Sequence, residues 1–88
     1  MKTFKDLEFE IMTDPFMPGK KSRIYFDNGY GASVVSHTFS YGGKLGLYEL
    51  AVLKDDELHY DNPVANGDVI GYLSEDDVSE LMIEVQKL

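Results

Sequence analysis

Cysteine and tryptophan are both absent from the 88-residue sequence. The lack of cysteine excludes disulfide bonds, thiolate metal sites and a cysteine nucleophile, and it fits a protein of a reducing compartment. No apolar run approaches the roughly 20 residues that a membrane-spanning helix needs. The first residues, MKTFKDLEFE, mix charges of both signs without an apolar stretch, so we expect no secretory signal there.

Basic residues are also scarce, and the imbalance is confined to one part of the chain. The sequence has 16 acidic residues against 8 Lys and Arg, which gives a net charge of -8. Residues 1–53 carry six acids and six bases, whereas residues 54–88 carry ten acids and two bases. This distribution disfavours direct nucleic-acid binding, which needs a basic face. It favours a basic protein partner, or serves solubility alone.

The length and the patterning predict a single α+β domain. We expect an N-terminal segment and loop over residues 1–22, an antiparallel β-meander of four to five strands over residues 23–60, and a C-terminal helix over residues 74–88 that packs on one face of the sheet. Ser74 followed by Asp77 is close to a capping box. The inward face of the helix is predicted from apolar residues at helical spacing: Val78, Leu81, Met82, Val85 and Leu88.

Three two-residue turns are predicted to join the strands of the meander. Asn28-Gly29, in the stretch FDNGYGASVV, is typical of a type I′ turn and would pair Phe26 with Gly31. Gly42-Gly43 would pair Phe39 with Gly46, and Asp55-Asp56 would pair Leu53 with Leu58. In the first two hairpins an aromatic ring would then shield a glycine on the opposite strand.

The predicted register makes both faces of the sheet apolar. It places Val35 with Ile24 and Phe26 on one face, and Val34 with Tyr25 on the other. Since one helix covers one face, the other would need the N-terminal segment or a second subunit. We therefore expect a homo-oligomer, most simply a dimer.

Motifs for catalysis are missing. The GYG stretch lacks the third glycine of a dinucleotide-binding loop, and no helix follows it. His37 and His59 are predicted to lie four residues apart along a strand, about 13 Å, too far for one metal or one triad. The acids of KDDEL and SEDD have local explanations as a turn and a helix start. We therefore expect no enzyme activity, no cofactor and no metal site.

Three stretches carry a resemblance: FDNGYGASVV, YGGKLGLYELAVL and DVIGYLSEDDV. Together they resemble a family of small, uncharacterised proteins encoded by bacteriophages, over residues 23–88. The resemblance implies an accessory protein that acts in the host cytoplasm during infection. By analogy with small acidic phage proteins in general, it implies binding to a host protein, with inhibition of a host or defence factor as the outcome.

Two binding hypotheses follow. In the first, a host protein contacts the turn tyrosines and the acidic helix, through Tyr30, Tyr41, Asp76, Glu80 and Glu84; the acids would either imitate a nucleic-acid backbone or only keep the protein soluble. The alternative is a small-molecule binder that sequesters a nucleotide signal. Its glycines would allow close backbone approach and a tyrosine would stack on the base, with these residues as the site: Gly29, Tyr30, Gly31, Gly42, Gly43 and Lys44.

Overall fold

A six-stranded antiparallel sheet with one α-helix on one face forms the structure, a computed structural model that describes residues 1–88. The strands are β1 (Glu10–Met12), β2 (Gly19–Tyr25), β3 (Tyr30–His37), β4 (Tyr48–Lys54), β5 (Glu57–Leu58) and β6 (Ile70–Leu73), and the helix is α1 (Glu75–Gln86). Strands β1 to β4 are neighbours in chain order, and β5 and β6 both pair with the outer edge of β4. Short 3₁₀ turns span Phe4–Asp6 and Gly43–Leu45. The predicted α+β class, with a meander and a C-terminal helix, is confirmed.

The first hairpin differs from its predicted register by one residue. Tyr25 pairs with Gly31, because the connection is a three-residue loop in which Gly29 alone has a positive φ, of +86°. Such loops combine a type I turn with a left-handed residue. Asn28 explains the choice: its side-chain oxygen accepts from the Tyr30 N–H at 3.1 Å, and its amide donates to the Val85 carbonyl of α1 at 2.9 Å. The predicted two-residue turn at Asn28-Gly29 is therefore wrong.

The second hairpin also departs from its prediction. Strand β3 ends at His37 because Ser40 closes a tight turn on it: the His37 N–H donates to the Ser40 hydroxyl, and that hydroxyl lies 2.9 Å from the His37 carbonyl. A ten-residue connection replaces the Gly42-Gly43 turn. The predicted Phe39–Gly46 pair does not form, and Phe39 is 70% exposed. The third hairpin is confirmed, with Leu53 opposite Leu58 and positive φ at both residues of its turn.

The register shift exchanges the two faces of β3, since a slip of one residue turns every side chain over. Val34, opposite Leu50, faces the helix and is fully buried, whereas Val35 lies on the other face between Lys21 and Glu49. The predicted faces of Val34 and Val35 were therefore wrong. The helix covers a core that joins these residues of the sheet and α1: Ala32, Val34, Leu50, Val52, Val78, Met82 and Val85.

The N-terminal segment completes this same core. Phe4, Phe9 and Tyr48 form an aromatic cluster with ring centroids 5.1 to 5.8 Å apart, and the Lys20 ammonium lies 4.9 Å from the centre of the Phe9 ring. Its aromatic side chains therefore do not cover the opposite face of the sheet, where Glu8 and Glu10 border a pocket together with Lys21 and Arg23.

That opposite face is mixed rather than apolar. Arg23 and Ser33 lie beside Ala51 in one row, and Tyr25, Gly31 and Leu53 form the next. The expectation of two apolar faces was wrong, so the open face of the sheet gives no reason to expect a dimer.

No helix of the structure has the length and apolarity needed to cross a bilayer.

Candidate functional site

The outer side of α1 carries a row of carboxylates. Ser74 caps the helix: its hydroxyl accepts from the Asp77 N–H at 3.1 Å, and the Asp77 carboxylate accepts from the Ser74 N–H at 3.0 Å. This confirmed capping box fixes where the helix begins, and its apolar stripe turns the acids outward. We define the acidic helix face as the exposed carboxylates of α1 other than the capping aspartate: Glu75, Asp76, Glu80 and Glu84.

The geometry of this face follows from helical spacing. Asp76, Glu80 and Glu84 stand four residues apart, so their side chains form a row with neighbours about 6 Å apart. No Lys or Arg lies within α1, and the one ion pair of the structure joins Arg23 to Asp56, far along the chain. The carboxylates of the row therefore stand close to one another and form no ion pair, and Lys5 is the base that lines a shallow pocket together with Glu75 and Asp76.

Asp77 differs from these acids because it serves the helix end. The hydrogen bond from the Ser74 backbone N–H, followed by that with the Ser74 side chain, holds the pKa of Asp77 below its ordinary value. Both bonds favour the charged carboxylate. The charge of Asp77 therefore stabilises the N-terminal end of α1, where negative charge is favourable.

Tyr30 lies at the start of β3 and is half-buried against the core. Its ring meets the His59 ring edge-on at 5.9 Å between centroids, and the Lys54 ammonium lies 5.1 Å from its centre. His59 in turn lies 3.1 Å from the side-chain amide of Asn62. Tyr30 therefore has packing partners on both sides, which the sequence did not indicate.

Tyr41 belongs to an exposed cluster at the other end of the sheet. Its carbonyl accepts from the Tyr72 N–H at 3.1 Å, and its own N–H donates to Glu49. Tyr41 is 55% exposed and Tyr72 is 62% exposed. Two further exposed side chains lie on the β3–β4 connection, and together we call these four residues the end patch: Phe39, Tyr41, Leu45 and Tyr72.

The two predicted tyrosines are therefore not brought together. Strand β3 separates them, and its length from Tyr30 to His37 is about 23 Å at the rise of an extended strand. Tyr41 lies where α1 begins, since Tyr72 precedes Ser74, and Tyr30 lies where α1 ends, near the Asn28–Val85 contact. The acidic helix face runs between these two ends.

The alternative ligand site is divided in the same way. Gly29, Tyr30 and Gly31 lie at one end of the sheet, and the remaining three lie at the other: Gly42, Gly43 and Lys44. The space beside Gly31, Gly42 and Gly43 is occupied by the chain itself, whereas that beside Gly29 is open. A Cβ at Gly31 would lie 3.1 Å from the Tyr25 ring, and one at Gly43 would overlap the His37 carbonyl. These six residues do not form one ligand pocket.

Gly31 leaves room for the Tyr25 side chain on the open face of the sheet. The Tyr25 ring crosses it, and the Tyr25 hydroxyl donates to Asp56 in the β4–β5 turn. Arg23 approaches the same carboxylate at 3.4 Å. The prediction that an aromatic ring covers Gly31 holds, but the ring is that of Tyr25 and not that of Phe26.

Histidines and carboxylates do not converge anywhere in the structure. His37 accepts from the Phe39 N–H through its own ring nitrogen at 3.1 Å, and His59 contacts Asn62. No three His, Asp or Glu side chains are grouped so that they could hold a metal ion.

No protein-family model matches the chain, and no curated protein or solved structure matches it. The surfaces described above therefore have to be interpreted from their own chemistry.

The sequence indicated the helix acids and Tyr41, but not Tyr72, Phe39 or Leu45 as a surface. Tyr72 has a φ of +57° and sits where the pairing of β6 with β4 shifts between Tyr48 and Leu50. Only the neighbouring Gly71 indicated this site: a Cβ there would overlap the Tyr41 side chain, so glycine lets β6 approach the β3–β4 connection.

Proposed function

We propose that this protein is a small, non-enzymatic accessory protein of bacteriophage origin that binds a basic surface on a host protein in the host cytoplasm. Binding would block a host or defence factor. The observation that carries the proposal is the acidic helix face, with its row of exposed, unpaired carboxylates on a rigid, capped helix.

Charge complementarity supports this choice of partner. A single-sign surface attracts a partner of opposite charge and raises the association rate, more so at low salt. The carboxylates of Asp76, Glu80 and Glu84 form no ion pair within the chain, so a cationic partner would not have to break an ion pair of the folded protein. Arg side chains suit such a row because each can bind a carboxylate through two parallel hydrogen bonds.

The test is charge reversal within the row. The triple variant Asp76→Lys, Glu80→Lys and Glu84→Lys should lose the partner that the tagged wild-type protein captures from expressing or infected cells. Lysine is a good helix former and the capping box of Ser74 and Asp77 is left in place, so α1 is retained, at a cost of about 0.3–1 kcal/mol for a positive charge at position 76 in the first turn. Unchanged capture by this variant would refute the acidic helix face as the contact.

The matched control reverses three other exposed carboxylates that are not in the row: Glu8, Asp27 and Asp61. Both triple variants change the net charge equally, so a role of overall charge predicts equal losses. The proposal predicts loss for the helix variant alone. A partner that binds DNA or RNA would also be released by added nucleic acid, which separates imitation of a nucleic-acid backbone from contact with another basic surface.

A further inference from the structure

Three asparagines occur in the chain, and two of them, Asn28 and Asn66, are followed by glycine. The side-chain amide of an asparagine is open to attack by the backbone nitrogen of the next residue. Glycine favours this attack because it has a mobile backbone and no Cβ to obstruct the approach. Asn62 is followed by Pro63, whose ring nitrogen has no N–H and is not available as a nucleophile. The contacts of Asn28 and Asn66 therefore decide where the reaction occurs.

The side chain of Asn28 is held at the C-terminal end of α1. Its amide nitrogen donates to the Val85 carbonyl at 2.9 Å and to the Leu88 carbonyl at 3.4 Å. Its oxygen accepts from the Tyr30 N–H at 3.1 Å. Both polar atoms of the amide group are engaged, so the side chain has to leave the helix before its Cγ can be attacked.

Asn66 lies in the loop between β5 and β6, and it is exposed. The hydrogen bonds that shape this loop use the side chain of Asn62 and the backbone of Asn66, and not the side chain of Asn66. Asn66 and Gly67 also border an open pocket of about 610 Å³, through which water reaches both residues. The Asn66 amide is therefore accessible without any movement of α1.

The nitrogen that would attack Asn66 belongs to Gly67. Its N–H donates to the Tyr60 carbonyl at 2.9 Å, and this bond has to open first. The corresponding bond of Gly29, to the Phe26 carbonyl, is longer at 3.3 Å, so the two sites are distinguished by their side-chain contacts. Loops without regular pairing open at low free energy, and a Cβ at Gly67 would have no atom within 4 Å.

We propose that Asn66 is a site of spontaneous deamidation and that α1 protects Asn28 from the same reaction. The Gly67 nitrogen loses its proton to water and attacks Asn66 Cγ, so that an N–Cγ bond forms within the chain. The Cγ–Nδ2 bond breaks, and the amide nitrogen takes up a proton and leaves as ammonia. One water molecule then opens the cyclic imide at either carbonyl, which gives aspartate or isoaspartate. No enzyme, oxidant or reductant is required.

The isoaspartate product would disturb the fold at a defined place. Its chain runs through Cβ and Cγ of residue 66, which lengthens the backbone by one carbon atom. The Asn66 N–H donates to the Asn62 carbonyl at 2.9 Å, and the preceding Ala65 is buried in the core. A longer backbone cannot keep both contacts in place, so we expect the isoaspartyl protein to be less stable. The aspartate product keeps the backbone and adds one negative charge.

Incubation of the full chain at neutral pH, followed by proteolytic digestion and peptide mass spectrometry, measures each site separately. The peptide that contains Asn66 should gain the mass difference between an amide and an acid, and chromatography should resolve its aspartyl and isoaspartyl forms. Asn28 should react at least about tenfold more slowly, because two or more hydrogen bonds have to break before its side chain is free. Asn62 should remain unchanged.

The same chain unfolded in urea is the matched control. Unfolding removes the contacts with α1 and the loop structure, so Asn28 and Asn66, which share the Asn-Gly sequence, should react at similar rates there. Equal rates in the folded protein, or a faster reaction at Asn28, would overturn the proposal. So would an Asn66 that stays intact in the folded protein while it reacts in urea.

The variant Asn66→Asp separates the effect of charge from that of the longer backbone. It should melt close to wild type, because aspartate tolerates the positive φ of +50° at this position. The isoaspartyl form, isolated by chromatography, carries the same charge and should melt about 5 °C lower. Equal melting temperatures for the two forms would overturn the proposed effect on the fold. The reaction is independent of the acidic helix face, so the triple helix variant should modify Asn66 at the wild-type rate.

Discussion

Met82 is the residue on which the attachment of α1 to the sheet depends most, and its truncation gives the sharpest test of the fold. Its side chain is fully buried in the middle of the inward row of the helix, between Val78 and Val85. Replacing a buried methionine by alanine removes its transfer free energy and leaves a cavity, which together cost about 2–5 kcal/mol. Alanine has a slightly better helix propensity, which offsets only a few tenths of this loss.

The loss is large relative to the stability of the whole domain. At roughly 0.05–0.15 kcal/mol per residue, a chain of this length has a free energy of unfolding of about 4–13 kcal/mol. Urea unfolding followed by circular dichroism should therefore show a midpoint lower by about 2 M or more, given a slope near 1 kcal/mol/M. In a domain of this size the same loss lowers the melting temperature by about 10–30 °C.

Met17→Ala is the matched control, because Met17 lies half-buried in the β1–β2 loop and outside the core cluster. It should cost less than about 1 kcal/mol. If Met82→Ala cost no more than Met17→Ala, α1 would not be the element that covers the sheet, and the core described above would be wrong.

Four further substitutions test local features. Ser74→Ala should lower the free energy of unfolding by about 1 kcal/mol. Asp77→Asn should destabilise fully above pH 3.8, the ordinary pKa of this carboxyl; because its folded pKa is lower, the difference from wild type should disappear as the pH falls through that lower value, and a constant difference in acid unfolding curves would contradict the capping box. Ser22→Ala should raise the melting temperature, since the buried Ser22 hydroxyl makes no hydrogen bond and its removal relieves about 1 kcal/mol; a lower value would show that the hydroxyl is satisfied. Gly31→Ala should cost about 1–3 kcal/mol in urea titrations, because its Cβ would meet the Ile24 carbonyl and the Tyr25 ring, and wild-type stability would refute that crowding.

Predictions from sequence succeeded where short-range chemistry decides the structure. The helix followed from its cap and its apolar spacing, and the Asp55-Asp56 hairpin from a turn with two residues at positive φ. The predictions for the other two turns were wrong because side-chain hydrogen bonds stabilise a different backbone geometry there. Asn28 bonds to the distant end of α1, and Ser40 folds back on His37. The first of these contacts exists only after the helix has docked, so no local pattern could reveal it.

The candidate surfaces show the same difference between features set by short-range chemistry and features set by distant contacts. The carboxylates of α1 were predictable, since helical spacing alone places Asp76, Glu80 and Glu84 in one row. The end patch was not, because it joins residues about 30 positions apart in sequence and depends on the left-handed Tyr72 at a shift between two strands. Tyr30 is the converse case. Its place beside a turn indicated an exposed side chain, but the ring of His59, the residue directly after β5, packs against it.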